Sequence, residues 1–226
     1  MNKNGWMTEF YGKDWFEINS LSELDGSIEN ALIEWRISSQ NPRAINEAES
    51  NGFKLVESVI EFTSEISPDL NFQDSSIIEA KSEHLDQVLD ITQECFLSNK
   101  EVQTRFKNEE YFTKIECAEY YKKSIVNNFQ KENVVTVVAV DQQGVAGYYM
   151  IKKLQGNTYK GVMTGVLPRA RGQRLHLRMQ QATFGIIGLD ITVVNSTQLS
   201  NFKTIKSHIR ANRVLSKIEH IFYKLV

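Results

Sequence analysis

The alternation of apolar and polar residues along the first third of the chain predicts a small α/β unit. Its predicted elements are a strand, a helix and a second strand, at residues 15–18, 44–50 and 53–62. The helix ends at Asn51-Gly52, where a left-handed cap is expected, whereas the apolar residues of 25–37 are too loosely spaced for an assignment. A polar stretch then runs from Ser67-Pro68-Asp69 to residues 73–76, and its proline, aspartate and serine residues predict a linker.

The pattern after this stretch is longer and more regular. Two β-branched runs flank a glycine-ended turn at residues 141–144, which predicts a hairpin, and four other segments have helical spacing. The predicted strands are residues 77–80, 134–140, 145–154, 159–167, 191–194 and 218–225. The predicted helices are residues 85–96, 113–129, 174–187 and 202–211. An antiparallel meander followed by alternating strands and helices is typical of an α+β or mixed α/β fold.

The composition agrees with one large globular domain, or with an ordinary domain joined to a small one. The chain has 226 residues, of which 41% are hydrophobic and 24% are charged. Its longest apolar run, residues 134–140, is broken by Thr136 and is far shorter than the ~18 residues of a membrane span. The first ten residues have no apolar signal core, and Cys95 and Cys117 make neither a disulfide framework nor a zinc set. These features predict a soluble, cytoplasmic protein with no membrane partner and no metal.

The charge is distributed unevenly along the chain. Residues 1–80 carry 5 basic and 15 acidic side chains, whereas residues 151–226 carry 13 basic and 2 acidic ones. A basic excess of this size favours an anionic ligand, such as nucleic acid, a phosphorylated cofactor or a nucleotide-linked substrate. The alternative is that the acidic and basic segments neutralise each other across an interface. The charge alone does not decide between an anionic ligand and such an interface.

A basic turn between a predicted strand and a predicted helix is the most informative segment. Residues 161–176 read Gly-Val-Met-Thr-Gly-Val-Leu-Pro-Arg-Ala-Arg-Gly-Gln-Arg-Leu-His. The strand stops at Pro168, the turn is centred on Gly172, and free amides converge with the positive end of a helix dipole, which makes a pyrophosphate site. Arginines at positions 169, 171, 174 and 178 add positive charge. The alternative is an ordinary strand–turn–helix with a solvated basic face.

The same segment resembles the acyl-CoA-binding motif of the GNAT superfamily, in which a strand ending in Val-x-Pro is followed by Arg-Gly-x-Gly-x-Gly/Ala and a helix. Val166, Pro168, Arg171 and Gly172 stand at the matching positions. The resemblance continues in element order over residues 75–226, since Val193-Val194-Asn195 is similar to the family's fifth strand and Asn201 opens a helix like its Asn-x-x-x-x-x-x-Tyr segment. It implies a GNAT-like central mixed sheet and acyl-CoA as co-substrate. The cofactor-binding residues that it implies are Val166, Leu167, Arg171, Gly172, Gln173, Arg174, Leu175, His176, Asn195 and Asn201.

Several positions depart from this family pattern, and one departure is that Asn212-Arg213 replaces the family's Gly-Phe after the helix that Asn201 opens. Arg174 and His176 replace the second and third small residues of the phosphate loop, where glycine permits a close approach of the backbone to phosphate. His208 stands seven residues after Asn201, where the family's tyrosine is expected to protonate the departing CoA thiolate. A histidine can do the same, because its ordinary pKa is about 6.5. His208 is therefore the predicted catalytic acid; the alternative is a partly buried polar residue of the helix.

The N-terminal part has a narrower resemblance. Residues 46–57 resemble the helix–Gly-Phe–strand end of the truncated GNAT-like unit that precedes the catalytic domain in the dTDP-fucosamine N-acetyltransferase group. Residues of the segment between the first two helices also resemble that group's sugar-nucleotide site: Arg105, Phe106, Tyr111, Tyr120 and Tyr121. The resemblance implies a small half-GNAT-like domain at residues 1–74 and an N-acyltransferase domain at residues 75–226.

These resemblances imply a cytoplasmic N-acyltransferase that moves an acetyl or short hydroxyacyl group from acyl-CoA directly to the amine of a dTDP-linked amino-dideoxyhexose, for surface polysaccharide (O-antigen) biosynthesis. Pantetheine would pair with the exposed edge of residues 163–166, and an amide near Val166 or Leu167 would polarise the thioester. A half-domain with one hydrophobic face also suggests a homodimer. The alternatives are a protein or small-molecule amine as acceptor, or a non-enzymatic module that binds nucleic acid. The acyl group, the amino sugar and any general base stay open.

Overall fold

The computed structural model describes residues 1–24, 26–66, 74–99, 103–188 and 190–226. Of the predicted linker, residues 67–73 lie outside these ranges. The end of the linker is tied to the body of the protein, because the Arg178 guanidinium donates to Asp74 Oδ2 at 2.7 Å and to Ser76 Oγ at 3.1 Å.

The described residues form ten strands and six α-helices. The strands are β1 (Asn2–Lys3), β2 (Asp14–Ile18), β3 (Ala31–Ser38), β4 (Lys54–Ile66), β5 (Ile77–Glu79), β6 (Val134–Asp141), β7 (Gly144–Lys153), β8 (Thr158–Val166), β9 (Ile191–Gln198) and β10 (Val214–Leu225). The helices are α1 (Gly5–Tyr11), α2 (Pro42–Ser50), α3 (Leu85–Thr92), α4 (Lys114–Phe129), α5 (Leu175–Ile187) and α6 (Phe202–Arg210). A π-helical turn, Gln93–Leu97, extends α3, and short 3₁₀ turns lie at Arg105–Lys107 and Pro168–Ala170.

All ten strands belong to one mixed sheet, in the order β1-β2-β3-β10-β4-β9-β8-β7-β6-β5. Because side chains alternate between the faces of a strand, neighbouring residues of β7 enter different cores. Tyr149 packs with Met179 of α5 on one face, and Met150 packs with Val88 and Ile125 of α3 and α4 on the other. The architecture is a large mixed sheet flanked by helices, so the predicted fold class is confirmed.

Strand β4 comes from the N-terminal part of the chain but lies between β9 and β10, two strands of the C-terminal part. It is antiparallel to both, and its Ile60 and Phe62 are buried in the interior. The sheet therefore crosses the predicted boundary between residues 1–74 and 75–226 without interruption. The division into two domains stays a prediction.

Strands β8 and β9 are parallel neighbours only at their start. Thr158–Lys160 pairs with Thr192–Val194, and beyond Lys160 the described residues pair β8 with β7 only. Gly161 follows directly, and a Cβ added there would lie 2.3 Å from Asn195 Oδ1. The two strands separate at this glycine and leave a cleft beside residues 161–166.

The structure adds elements that the hydrophobic pattern does not predict. β3 begins within the unassigned residues 25–37 and ends at Ser38, and α1 is a seven-residue helix that is too short for its spacing to be recognised. Asn4 caps α1 by accepting the Met7 amide at 3.1 Å, and Gly12 ends it at φ +64°. β4, β9 and β10 each extend four residues beyond their predicted bounds, because main-chain pairing across the sheet holds the added residues whatever their side chains. Among the helices that the structure describes, none is long and apolar enough to cross a membrane.

Candidate active site

The basic turn has the backbone conformation that an anion site requires. Gly172 has φ +82° and Arg174 has φ +56°, so the chain makes two left-handed steps before α5 begins. The first bond of the helix joins the Arg178 amide to the Arg174 carbonyl at 3.1 Å, which leaves the amides of residues 175–177 without helical partners. In the described chain no backbone carbonyl accepts from the amides of residues 172–174 either. The Arg171 amide is different, since it donates to the Pro168 carbonyl at 3.2 Å.

Arg174 and His176, which replace small residues of the family motif in this turn, have side chains that point in different directions. Arg174 adopts the left-handed conformation that glycine adopts freely, and its side chain is exposed. His176 turns inward, where its ring lies 6.0 Å from that of Tyr149 and 6.1 Å from that of His208. His176 therefore belongs to the interior of the cleft.

Three adjoining cavities occupy the cleft and its mouth. The "turn cavity", of about 560 Å³, lies between the basic turn, β8 and α6, and includes Arg171, Gly172 and Asn201. The "sheet cavity", of about 300 Å³, lies further along β8, at Gly161–Thr164, and includes Glu57, Arg105 and His208. Both cavities are lined by the same six residues at their junction: Phe96, Thr164, His176, Gln198, Asn201 and Thr204.

The third, the "outer cavity", of about 610 Å³, opens to the surface. It shares Glu57 and Thr104 with the sheet cavity, and Ser200 and Phe202 with the turn cavity. Phe202 is 68% exposed at this mouth. The three cavities therefore adjoin one another through shared lining residues.

The free edge of β8 lines the turn cavity. The Leu167 amide donates to the Ala146 carbonyl of β7 at 2.9 Å. Because successive residues of a strand direct their N–H and C=O groups to opposite sides, the main-chain groups of Thr164 and Val166 point away from β7 and toward the cleft. The Val166 carbonyl accepts the Arg171 Nε–H at 3.0 Å. The prediction that either the Val166 or the Leu167 amide meets a thioester is therefore narrowed to Val166, because Leu167 is already engaged.

His208 is buried, with 3% of its surface exposed, and stacks on Phe62 with ring centroids 4.7 Å apart. Arg213 Nη1 lies 2.7 Å from His208 Nδ1. Because a guanidinium only donates, Nδ1 must accept and the ring proton must be on Nε2. Burial, and after it the charge of Arg213 and the contact with His176, together lower the pKa of His208 to about 3. At neutral pH His208 is a neutral imidazole with one N–H to offer.

A buried polar network holds this histidine in place. Arg213 Nη2 also donates to Gln180 Oε1, and Gln180 Nε2 donates to Asn195 Oδ1 at 3.4 Å. The Tyr149 hydroxyl donates to the same Asn195 oxygen at 3.3 Å. No carboxylate forms an ion pair with Arg213 in the part of the chain that the structure describes. Asn195, a predicted cofactor ligand, therefore lies at the sheet cavity rather than at the basic turn.

Four of the five residues that were predicted to bind the acyl acceptor line the same cavity. Arg105, Phe106, Tyr120 and Tyr121 all line the sheet cavity, and Phe106 and Tyr120 stack with centroids 3.7 Å apart. Tyr111 lies outside the cavity linings and packs edge-on against Tyr223 at 5.2 Å, since a second turn, in which the Tyr111 amide donates to the Asn108 carbonyl at 3.0 Å, carries it to the aromatic core beside β10.

Four residues that were not predicted from the sequence complete the site. Glu57 and Arg36 line the sheet cavity from β4 and β3, and Cys95 lines the turn cavity from the π-helical turn. Arg213 positions His208. Arg213 had a signal in the sequence, because it replaces a family hydrophobic residue just after the predicted catalytic helix. Glu57 had none, since its neighbours are distant in the sequence.

The buried histidines predict a loss of stability in mild acid. Burial lowers the pKa of His176 to about 4 and that of His208 to about 3, below the ordinary value of about 6.5 that they regain on unfolding. The unfolded chain therefore binds more protons between pH 6.5 and 3, and the free energy of unfolding falls as the pH drops through that window. We expect a lower urea midpoint at pH 5.5 than at pH 7.5, and a smaller difference in His208→Phe. Equal midpoints at the two pH values would contradict the assignment.

Comparison with solved structures identifies the fold as that of the GNAT acetyltransferases. A functionally unknown conserved protein from Staphylococcus epidermidis matches with a TM-score of 0.62 at 14% identity, covering 86% of this chain and 73% of that one. A GCN5-related N-acetyltransferase from Sphaerobacter thermophilus matches with 0.57 at 14% identity, over 86% and 59%. A tandem GNAT protein from the clavulanic acid biosynthesis pathway matches with 0.56 at 11% identity, over 85% and 63%.

At these identities the likeness shows the fold alone. This chain spans 59% to 73% of the length of these three proteins. No protein-family model matches the sequence, and no curated protein matches it significantly. The GNAT fold is thus established by the structure, and the activity must be argued from the site.

Proposed function

We propose that this protein is an acyl-CoA-dependent N-acyltransferase that works by direct transfer. The observation that carries the proposal is the cleft between β8 and β9, which has a row of free amides at one end and a buried imidazole at the other. This geometry suits a long anionic donor that enters past the basic turn and presents its reactive end to the interior. The fold that this chain shares with two GNAT structures agrees with it.

Each part of the turn cavity has a role in holding acyl-CoA. The amides of residues 172–177 and the positive end of the α5 dipole would bind the pyrophosphate, and Arg171 and Arg174 would add charge. The cleft-facing main-chain groups of Thr164 would pair with pantetheine as an added strand. The Val166 carbonyl is held by Arg171, and the Val166 amide would polarise the thioester carbonyl. Gln173, Leu175 and Asn201 stay predicted contacts, and Asn201 already caps α6 by accepting the Thr204 amide at 3.3 Å.

His208 would stabilise the departing thiolate by donating a hydrogen bond from Nε2. The predicted role as a proton donor requires an imidazolium at neutral pH, and burial together with Arg213 disfavours that form. A neutral histidine that donates its ring N–H can still lower the barrier, because a fixed donor in a dry cavity stabilises developing negative charge.

For the acceptor we propose a dTDP-linked amino sugar. Arg105, Phe106, Tyr120 and Tyr121 at the sheet cavity support it, because they combine stacking surfaces with a cation. The outer cavity, with exposed Phe202 at its mouth, offers room for a nucleotide beyond the reacting sugar. The homodimer, the cytoplasmic location and the role in surface polysaccharide biosynthesis stay predictions.

The test is to follow free thiol and product mass with acetyl-CoA and short hydroxyacyl-CoAs. The acceptor panel would contain dTDP-amino sugars, polyamines and lysine peptides. We expect thiol release that depends on an amine, with the fastest turnover on a dTDP-amino sugar. Turnover on the other amines alone would overturn the acceptor, and failure to bind CoA or release thiol would overturn the enzyme itself. Tight binding to nucleic acid that falls steeply with salt would support the non-enzymatic alternative.

His208→Phe is expected to lower kcat by about 10²-fold, because one fixed donor to the developing charge is lost. The phenyl ring keeps the stacking on Phe62, so the Kd for CoA should change little. The matched control is His84→Phe, since His84 lies at the start of α3 and outside the three cavities. Unchanged turnover in His208→Phe would show that the leaving thiolate is stabilised elsewhere.

A further inference from the structure

Glu57 is the one carboxylate among the described residues that line the three cavities. It lies on β4 and lines both the sheet cavity and the outer cavity, at the point where these two adjoin. The other charged side chains of the linings are basic: Arg36, Arg105, Lys107, Arg171, Arg174 and Lys203. A cation that enters the site therefore has a single side chain to pair with.

One oxygen of this carboxylate is held and the other is open. Glu57 Oε1 accepts the Arg105 backbone amide at 3.1 Å. In the described chain no group donates to Oε2, while the side chain lies on the wall of two cavities. The carboxylate is thus fixed in orientation and can still accept one more hydrogen bond.

The electrostatic surroundings suit a proton acceptor. Burial raises the pKa of the Glu57 carboxyl, and Arg105 and then Arg36 oppose that rise, whereas Glu34 adds to it. The ionisable groups that face it from β3, β10, α4 and the Arg105–Lys107 turn are Glu34, Arg36, Arg105, Tyr120, Tyr121 and Tyr223. A carboxylate whose pKa is raised accepts a proton from an amine near neutral pH more readily than a solvated carboxylate does.

We propose that Glu57 binds the acceptor's ammonium group in the sheet cavity and removes its proton, which rests on the proposed acyltransferase function. The acceptor would then be a primary amine that arrives as a cation. One N–H proton passes to the Glu57 carboxylate, and the freed nitrogen lone pair attacks the thioester carbon. The C–N bond forms and the C–S bond breaks. The second N–H proton ends on the CoA thiol, and Glu57 later returns its proton to water.

This assignment makes the active site a composite of the two ends of the chain. The amides that hold the donor come from residues 172–177, whereas the base comes from β4, which the N-terminal part inserts between β9 and β10. The N-terminal part would therefore serve catalysis directly as well as completing the sheet.

The test compares Glu57→Gln with Glu61→Gln, which removes a carboxylate four residues along the same strand, outside the cavities and bonded to Ser216. We expect kcat/KM to fall by about 10²-fold or more in E57Q and by less than about threefold in E61Q.

The pH profile separates a base from a structural group. In the wild type, the acid limb of the profile, where kcat/KM falls at low pH, should reflect the protonation of a carboxyl group. In E57Q, kcat/KM should instead rise with pH up to the pKa of the acceptor amine. Repeating the profile with an amine of lower pKa should shift the E57Q limb and leave the wild-type acid limb in place.

Two further measurements keep the outcome clear. The Kd for CoA, which depends on the opposite end of the cleft, should be the same in E57Q and the wild type and so shows that the variant is folded. Glu57→Asp should keep the carboxyl-dependent acid limb at a reduced kcat. If the wild type transfers acyl groups while E57Q keeps both its rate and its pH profile, Glu57 is not the base and the acyltransferase function stands. If the wild type binds CoA but acylates no amine, the proposed function fails and the role of Glu57 fails with it.

Discussion

A chain that begins at residue 75 is expected to remain unfolded, although it contains every residue of the GNAT-like motif. The deletion removes β4, which separates β9 from β10 and is bonded to both. It also removes the buried side chains Ile60, Phe62 and Ile66. Each such side chain contributes about 1.5–3 kcal/mol by burial, and the loss of three of them together with two strand ladders is comparable to a total stability of about 5–15 kcal/mol.

The measurement is near-UV circular dichroism and urea unfolding of residues 75–226. We expect no cooperative transition, and recovery of both signals when residues 1–66 are added as a separate chain, because β4 can then re-enter its position. Removal of residues 1–3 is the matched control, since it takes away only β1 at the edge of the sheet. A cooperative transition in residues 75–226 alone would show that β9 and β10 can pair without β4.

Gly161→Ala is expected to cost about 2–3 kcal/mol in the free energy of unfolding, as overpacking of a core does. The added Cβ would lie 2.3 Å from Asn195 Oδ1 and 3.1 Å from the Tyr149 hydroxyl. Asn195 cannot move away freely, because Tyr149 and Gln180 both donate to that oxygen. The methyl group would therefore break the buried network that ends at His208 and push β8 and β9 further apart.

Differential scanning calorimetry should show a Tm lowered by about 5–10 °C for this variant. Activity should fall as well, since the displaced network positions His208. Gly5→Ala is the control, because a Cβ there meets no heavy atom within 4 Å. An unchanged Tm in Gly161→Ala would mean that Asn195 has an alternative position of equal energy.

Much of the local structure could be predicted from the sequence, because neighbouring residues determine it. The hairpin of β6 and β7 follows from its β-branched runs and Gly144, and the start of α6 follows from Asn201, which caps it. The basic turn is of the same kind, since Pro168 stops β8 and Gly172 supplies a left-handed step. Even the free amides of the turn could be foreseen, because every helix begins with unpaired N–H groups.

The protonation state of His208 could not be predicted in this way. Its family position suggested an acid with an ordinary pKa, whereas burial against Phe62 and the contact with Arg213 hold it neutral. The orientation of His176 is a similar case, because only the packing of α5 on the sheet turns its ring into the cleft.

The sequence by itself determined the strands and α-helices of residues 77–226 and where an anion can meet free amides, because both depend on residues within a few positions of each other. Tertiary structure decided that β4 separates β9 from β10, that β8 leaves β9 at Gly161, and that Glu57 reaches the cavity beside Arg105. These features depend on strand pairing, burial and charge between residues far apart along the chain, and no local pattern specifies which distant partner a residue will meet.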